Sequence, residues 1–373
     1  MSFDFRPYSD GRKDVAAALN AAMARGETVL NVPPGDYRLD VPLVLPSCTN
    51  IAADPATRFF AGDANRASAV VVNSDTEKGN KNITISGGIW DGCAATHKRT
   101  SYKDPDYAGR FFHFVNVRDL CCTDMHIRDG ACYQVSLGRV TDFRFERIVF
   151  DGKVHPMCQD GVHIGGGCER GVVRNIRAID GATGDDLIAL NADDVNHYSH
   201  NAGQQDLPIR KILVEDVQAA SCWTAVRVLS IKSEISDVVL RGFKVGYRRH
   251  GINADAARYC ADPIFKDAEH PNGVGALRNV LFEDFELWYA GDRPKRSETV
   301  TWETNGKGVK FRNFRVAREC ETPTDKPVPP TFRIRKVGPT RVVADGVESV
   351  LQPGEELLLK ANSYRSVNIG DLD

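Results

Sequence analysis

Four aspartates bracket one short apolar run in GATGDDLIALNADD, residues 181–194. Asp185 and Asp186 stand in front of it, Asp193 and Asp194 behind it. A further candidate, Asp160, lies upstream in QDGVHIGGG. Carboxylates packed against one another cost Coulomb energy unless one keeps its proton, so at least one pKa in such a group rises. A protonated acid beside an ionised partner is what general acid and general base chemistry requires. Asp193 and Asp194 read differently, as turn residues of the same kind as the Asp-Gly pairs in IRDG, VFDG and AIDG.

What would bring Asp160 beside the other two is a repeat. From residue 79 to 317 a short alternating strand, a Gly or Asn, a second strand and an Asp-Gly turn recur. The pattern is plain in NITISGGIWDG, FFHFVNVRDLCCTDMHIRDG, YQVSLGRVTDFRFERIVFDG and GVHIGGGCERGVVRNIRAIDG. Strands this short cannot bury a face alone, so a period of about 23 residues and upward means that successive turns stack around one core. No helical periodicity separates the strands, which leaves an all-β, right-handed parallel β-helix. A leucine-rich horseshoe lacks its L-x-x-L-x-L frame here. Residues 13–25 carry Val15, Leu19, Ala22 and Met23 at helical spacing, with Gly26 behind them, and predict a helix that caps the first coil. The β-helix domain, cap included, is assigned to 1–320 and a C-terminal linker and small β cap to 321–373, where ETPTDKPVPP precedes hairpin patterns in 341–360.

Stacking spaces equivalent positions about 4.8 Å apart, so aligning the coils maps the surface. The apolar pairs Phe112/Phe114, Val135/Leu137, Val162/Ile164, Ile188/Leu190 and Val226/Val228 fix the register. One outward column then reads Arg110, Tyr133, Asp160, Asp186, Thr224, and the next His113, Ser136, His163, Ala189, Arg227. Asp160 and Asp186 fall side by side with Asp185 flanking them. Strict alternation would send Asp185 and Asp186 to opposite faces, so the chain must turn there, and Gly184 supplies the freedom.

Composition narrows the functional classes. A formal charge of −2 removes the simplest case for a nucleic-acid partner. Aromatic residues at 8% point to a core of Val, Ile and Leu. The ten cysteines form neither a disulfide framework nor paired zinc spacing, and nearly all of them read as reduced, buried small residues. No segment approaches a membrane span, and the N-terminus has no apolar core after a basic start, so a soluble cytoplasmic protein is expected. No cofactor or metal is expected, and both monomer and homo-oligomer stay open.

The constellation resembles glycoside hydrolase family 28, the polygalacturonase-like enzymes of the pectin-lyase-like β-helix superfamily. The likeness runs through DGRKDVAAALNAAMARGETVLNVPPGDYRL, NITISGGIWDG and QDGVHIGGGCERGVVRNIRAIDGATGDDLIAL. In that family Asn-x-Asp-Gly is followed by Gly-Asp-Asp, Gly-His-Gly and Arg-x-Lys on later coils. The resemblance implies an inverting glycosidase in which Asp185 protonates the glycosidic oxygen while Asp160 and Asp186 hold and deprotonate the attacking water. Departures are visible. Cys158 replaces the motif asparagine, Thr224 stands where the Gly-His-Gly histidine belongs, and His250 falls in that column one coil late. Arg-x-Lys has no clean counterpart, with Arg227 a coil early and Asn253 in its place.

A carbohydrate substrate is the expected partner. Trp223 is placed to stack on a sugar face and Arg227 to contact a hydroxyl or carboxylate. Tyr133, His163, Thr224, Arg249 and His250 are further candidates for substrate binding. The insertions at 191–208 and 254–273 are expected to wall the groove into a pocket, favouring attack at chain ends of uronate- or rhamnose-containing fragments. His197 and His200 with Asp193 and Asp194 match no common zinc order. Two alternatives use the same scaffold. A lyase or epimerase would hold Ca²⁺ on the aspartates and use Arg227 or Lys232 as base, and a tailspike-like fibre would bind glycan without turnover.

Overall fold

The computed structural model describes residues 3–66, 69–101, 104, 107–179, 181–194, 199–260, 264–291, 296–323 and 327–370. One 27-stranded sheet runs through them. It is wound as a parallel β-helix, each strand pairing in parallel with its counterpart on the next coil. Every antiparallel pair involves a strand from residue 340 onward.

Alternation produces the strands. In Asn80–Ser86, Ile83 and Ile85 are buried while Lys81 and Asn82 face solvent, and neighbouring coils repeat the pattern in register. Coils bend where one residue takes a left-handed conformation. Asn82, Asp119, Asp142, Lys211, Asp237 and Asn279 all have φ between 54° and 59° and occupy one column through the register of successive coils. Asn and Asp tolerate that region better than other L-residues. Arg170 shares the column and pairs with Asp142 on the preceding coil, Nε to Oδ1 at 2.6 Å.

The apolar pairs read from sequence are in register through the middle coils, and these positions are fully buried. The interior is not purely aliphatic, however. Tyr37, Phe59 and Trp90 follow one another at centroid distances of 5.5 and 4.4 Å. Toward the other end, Phe243–Phe285 and Phe282–Phe311 stack at 4.4 and 4.6 Å, each with planes 7° apart. The coil spacing matches aromatic stacking distance, so few rings build continuous ladders.

The capping helix is Ala16–Ala24, with Leu19, Ala22 and Met23 buried. It starts later than the spacing predicts because Asp10–Asp14 is a strand paired with Gly35–Leu39. The Asp14 carboxylate accepts the Ala16 and Ala17 amides, and Gly26 follows the helix at φ 93°. At the other end, parallel stacking continues past residue 321, since Phe332–Arg335 lies on Val300–Trp302. Thr340–Ala344 and Val347–Leu351 form the predicted hairpin, while Glu356–Leu359 pairs with Phe332–Arg335. Ser363–Ile369 lies antiparallel on Gly306–Val316 and covers that edge. All ten cysteines are free. Only Cys122, Cys132, Cys158, Cys168 and Cys222 are buried; Cys93, Cys121 and Cys260 are partly exposed, and Cys48 and Cys320 are exposed.

Candidate active site

Both surface columns read from the sequence are present. Asp186 pairs with Thr224 and Thr224 with His250, while the Gly161 amide donates to the Asp186 carbonyl and sets Asp160 one coil below. The second column, His113 to Arg227, continues through Asn253, Thr301 and Arg333. Asp160, Asp185 and Asp186 each bring a carboxylate oxygen within 4.8 Å of the others.

Asp185 reaches the cluster because the chain arches before the strand Asp186–Asn191. The Thr183 hydroxyl donates to the Asp185 carbonyl at 2.8 Å, and the Gly184 amide to Oε1 of Gln159 at 3.0 Å. The Cys158 amide donates to Oδ2 of Asp185 at 3.2 Å. Gly184 is needed for space rather than for a left-handed turn. A Cβ there would lie 2.3 Å from the Pro156 carbonyl oxygen, and its φ is not positive.

The three carboxyl groups are not equivalent. Burial and the charge of Asp160 push Asp185 up to about 7. Burial, then Asp185 and Asp160, push Asp186 well above the usual carboxylate range, so it keeps its proton. Asp160 is raised by burial too, but it alone has a direct charged partner, Nδ1 of His163 at 2.7 Å. Of the three, Asp160 is the one equipped by its partner to accept a proton, while Asp185 can hold one near neutral pH.

His163 differs most from expectation. It is fully buried behind Asp160 and does not line the cleft, because its other nitrogen is taken by Asp194 at 3.1 Å and its ring lies under Tyr133 at 4.1 Å. It cannot touch substrate. Asp194 is correspondingly not a turn residue, whereas Asp193 is: its carboxylate accepts the amides of Ile231, Lys232 and Ser233.

A cleft of about 610 Å³ opens over the triad. The other candidates, Tyr133, Trp223, Thr224, Arg227, Arg249 and His250, line it with the three aspartates. Arg227 is engaged by Asp255 at 2.9 Å and by the Tyr259 hydroxyl at 3.0 Å. His250 is lowered to about 4 by burial and by Arg249, so it is neutral, and its Nδ1 lies 3.3 Å from the Thr301 hydroxyl. The Tyr133 hydroxyl donates to Asn201.

The insertion after the strand Asp186–Asn191 does more than wall the groove. Residues 199–207 lie across the coils on the N-terminal side of the triad. Arg110 donates to the Ala202 carbonyl at 2.6 Å, and Gln204 to the Ser136 hydroxyl at 3.0 Å. Gly165 leaves room for this, since a Cβ there would meet Oε1 of Gln204 at 2.0 Å. Arg110, His113 and Ser136, outward in the sequence reading, are thus buried beneath the insertion. The cleft is closed at that end and extends toward the C-terminal coils. Asp255, Arg258 and Tyr259 from the second insertion form its side.

Sequence reasoning missed that far half. Arg296, Glu298, Glu303, Arg333, Arg335 and Lys336 line it. The signal was present: VTW and FRI repeat the apolar-x-apolar pairs that fixed the earlier register. Glu298 and Glu303 neutralise Arg333 and Arg335 in part. Arg249 and Lys336 are exposed and have no ion-pair partner among the described residues.

Among the described residues, the triad is the one group of acidic, His or Cys side chains close enough to bracket a cation. Two positive side chains, His163 and Arg227, already face it and lower Asp160. Asp193 and Asp194 are committed elsewhere, His200 meets Arg99 at 3.0 Å, and His197 lies outside the described residues. Lys232 pairs with Glu269 at 2.8 Å and does not line the cleft.

No protein-family model matches the chain, and no curated protein sequence matches it. Among solved structures, the endo-xylogalacturonan hydrolase of Aspergillus tubingensis superposes with a TM-score of 0.60 at 14% identity, covering 88% of this chain and 87% of that one. The chain has the right-handed parallel β-helix fold. The surface adhesin PfbA of Streptococcus pneumoniae gives 0.57 at 14% identity, covering 82% of each chain. The family 28 exopolygalacturonase of Yersinia enterocolitica gives 0.56 at 12%, covering 83% of this chain and 65% of that one. An adhesin and two hydrolases share the scaffold, so chemistry must be argued from the cleft. No helix among the described residues is long and apolar enough to cross a membrane.

Proposed function

We propose that the cleft hydrolyses the terminal glycosidic bond of an acidic oligosaccharide, uronate- or rhamnose-containing fragments being the leading candidates. The observation that carries this reading is the triad, three carboxyl groups within 4.8 Å of one another, of which Asp185 is pushed up to about 7 and Asp160 alone is held by the His163 ring. Asp185 gives its proton to the glycosidic oxygen as the carbon–oxygen bond breaks. A water held by Asp160 and Asp186 attacks the sugar carbon and yields its proton to Asp160.

Several features support the finer points. Closure of the cleft beside the triad favours removal of a terminal unit over internal cleavage. The unpaired Arg249 and Lys336 favour a negatively charged chain. The family resemblance and the two solved hydrolases agree with hydrolysis. A lyase on the same scaffold is disfavoured because both candidate bases, Arg227 and Lys232, are engaged by other residues.

Inversion is part of the proposal. Two carboxyl groups of an inverting enzyme usually stand about 6.5–9.5 Å apart so that water fits between them. Here oxygens of the acid Asp185 and the base Asp160 come within 4.8 Å, closer than that range, so inversion is supported by the family resemblance and not by the spacing. Proton NMR of products over a panel of acidic oligosaccharides tests the reading. A new reducing end released from a chain terminus, with inverted anomer and no double bond, is expected. Asp185→Asn should lower kcat about 10²–10⁴-fold. Binding without turnover by the wild-type chain would overturn hydrolysis.

A further inference from the structure

We propose that His163, backed by Asp194, is a positioning residue: it fixes the Asp160 carboxylate and keeps it ready to accept a proton. The inference rests on Asp160 acting as the base. It starts from a ring that does not line the cleft but joins two aspartates that do. Nδ1 of His163 meets Oδ2 of Asp160 at 2.7 Å and Nε2 meets Oδ2 of Asp194 at 3.1 Å. An ionised carboxylate only accepts hydrogen bonds, so a ring held between two of them carries a hydrogen on both nitrogens. That ring is a buried cation clamped between two anions.

Its surroundings hold it there. The Tyr133 ring lies over it at 4.1 Å with planes 19° apart, an arrangement that favours a positive charge. Asp194 is itself fixed by the side-chain Nδ2 of Asn191, which donates to its Oδ1 at 3.2 Å. Burial alone would strip the proton, but Asp194 and Asp160 outweigh it and push the ring up to about 10. The nearby rings go the other way. His113 is driven well down by burial and Arg110, and His200 is lowered to about 3 by burial and Arg99, with His163 adding to both. Of the three histidines, only His163 holds its charge. On the C-terminal side, Arg227 adds positive charge facing Asp160.

The two nitrogens do different work. The short bond to Asp160 leaves its Oδ1 to accept the Asp186 amide at 3.3 Å, which fixes the carboxylate plane against the neighbouring coil. Asp194 keeps the ring from turning and raises its basicity, as a second partner does for a metal-bound histidine.

Aspartate-labelled protein followed by carbon NMR decides the matter in the resting chain. In His163→Gln the Asp160 ionisation midpoint should rise by about one pH unit or more, a tenfold change in proton affinity. Asp194→Asn should move it the same way by less, and circular dichroism reports whether each variant keeps its strands. Should His163→Gln unfold, Asp194→Asn gives the reading alone. An unmoved midpoint in a folded variant overturns the positioning role of His163, whatever the chain does to sugars. With a cleavable substrate in hand, the acid limb of the kcat profile should move up with the midpoint. In the same assay kcat should fall about 10–100-fold with KM nearly constant. A fall in kcat without movement of that limb would leave His163 with a purely structural part and also overturn the proposal. Absence of cleavage by the wild type would instead refute the glycosidase reading and leave the NMR result standing.

Discussion

Gly184→Ala separates the placing of Asp185 from its chemistry. The added methyl would sit 2.3 Å from the Pro156 carbonyl oxygen and 2.8 and 2.9 Å from the carbonyl carbon and oxygen of His155. Ordinary contacts of this kind begin near 3.4 Å, so something must move by about 1 Å. All three neighbours are backbone, and no side-chain rotation relieves them. Either the arch at 183–185 or the segment at 155–158 shifts, and both hold Asp185, the second through the Cys158 amide. Overpacking of this size costs about 1–3 kcal/mol. For 373 residues, with an unfolding entropy of about 2.1 cal/mol/K per residue, that lowers Tm by about 1–4 °C. A displacement of about 1 Å at a reacting group costs about 10²-fold in rate. Calorimetry and steady-state kinetics on a cleavable oligosaccharide should show both losses, with KM little changed. Gly26→Ala is the control, since nothing lies within 4 Å of its Cβ position and its φ of +93° strains the chain far from the cleft. Wild-type Tm and kcat in Gly184→Ala would refute the close approach and, with it, the account of how Asp185 is aimed.

Four further outcomes are expected. Activity should fall about tenfold per pH unit above about 7, where Asp185 gives up its proton; a flat alkaline limb would deny it the acid's role. Because His163 is raised to about 10 from an ordinary 6.5, its stabilising contribution is complete below 6.5 and is lost as pH rises toward about 10, which urea titrations at pH 6.5 and 9.5 would detect. Asp193→Ala removes the acceptor for the Ile231, Lys232 and Ser233 amides and should cost about 2 kcal/mol or more in denaturant, with kcat preserved. Trp90→Ala breaks the aromatic ladder at a wholly buried position and should cost about 3–5 kcal/mol in the same assay, again without touching kcat.

Much of this molecule was legible because a parallel β-helix converts sequence period into surface columns. Val162/Ile164 and Ile188/Leu190 announce their own register, so the adjacency of Asp160 and Asp186 followed from counting. The position of Asp185 was half legible: a bend was required, but the packing of Gly184 on Pro156 depends on a segment with no periodic signal. His163 was misplaced because column alignment tells which residues point away from the core, and the same direction is buried wherever an insertion folds back over it. The ion pair with Asp194 crosses between the two ends of neighbouring strands, a contact that no local spacing encodes. The cleft's far half was lost when a proline-rich stretch suggested an ending, although Val300/Trp302 and Phe332/Ile334 keep the period.

If the cleft cuts glycans as proposed, the insertion at 199–207 would also govern traffic. A glycan that enters such a blind passage has one way in and the same way out. After each cut the shortened chain must withdraw before the freed unit can escape, so no polymer can be reeled through. Turnover would be distributive, and a mixture of long chains would shorten together rather than one after another.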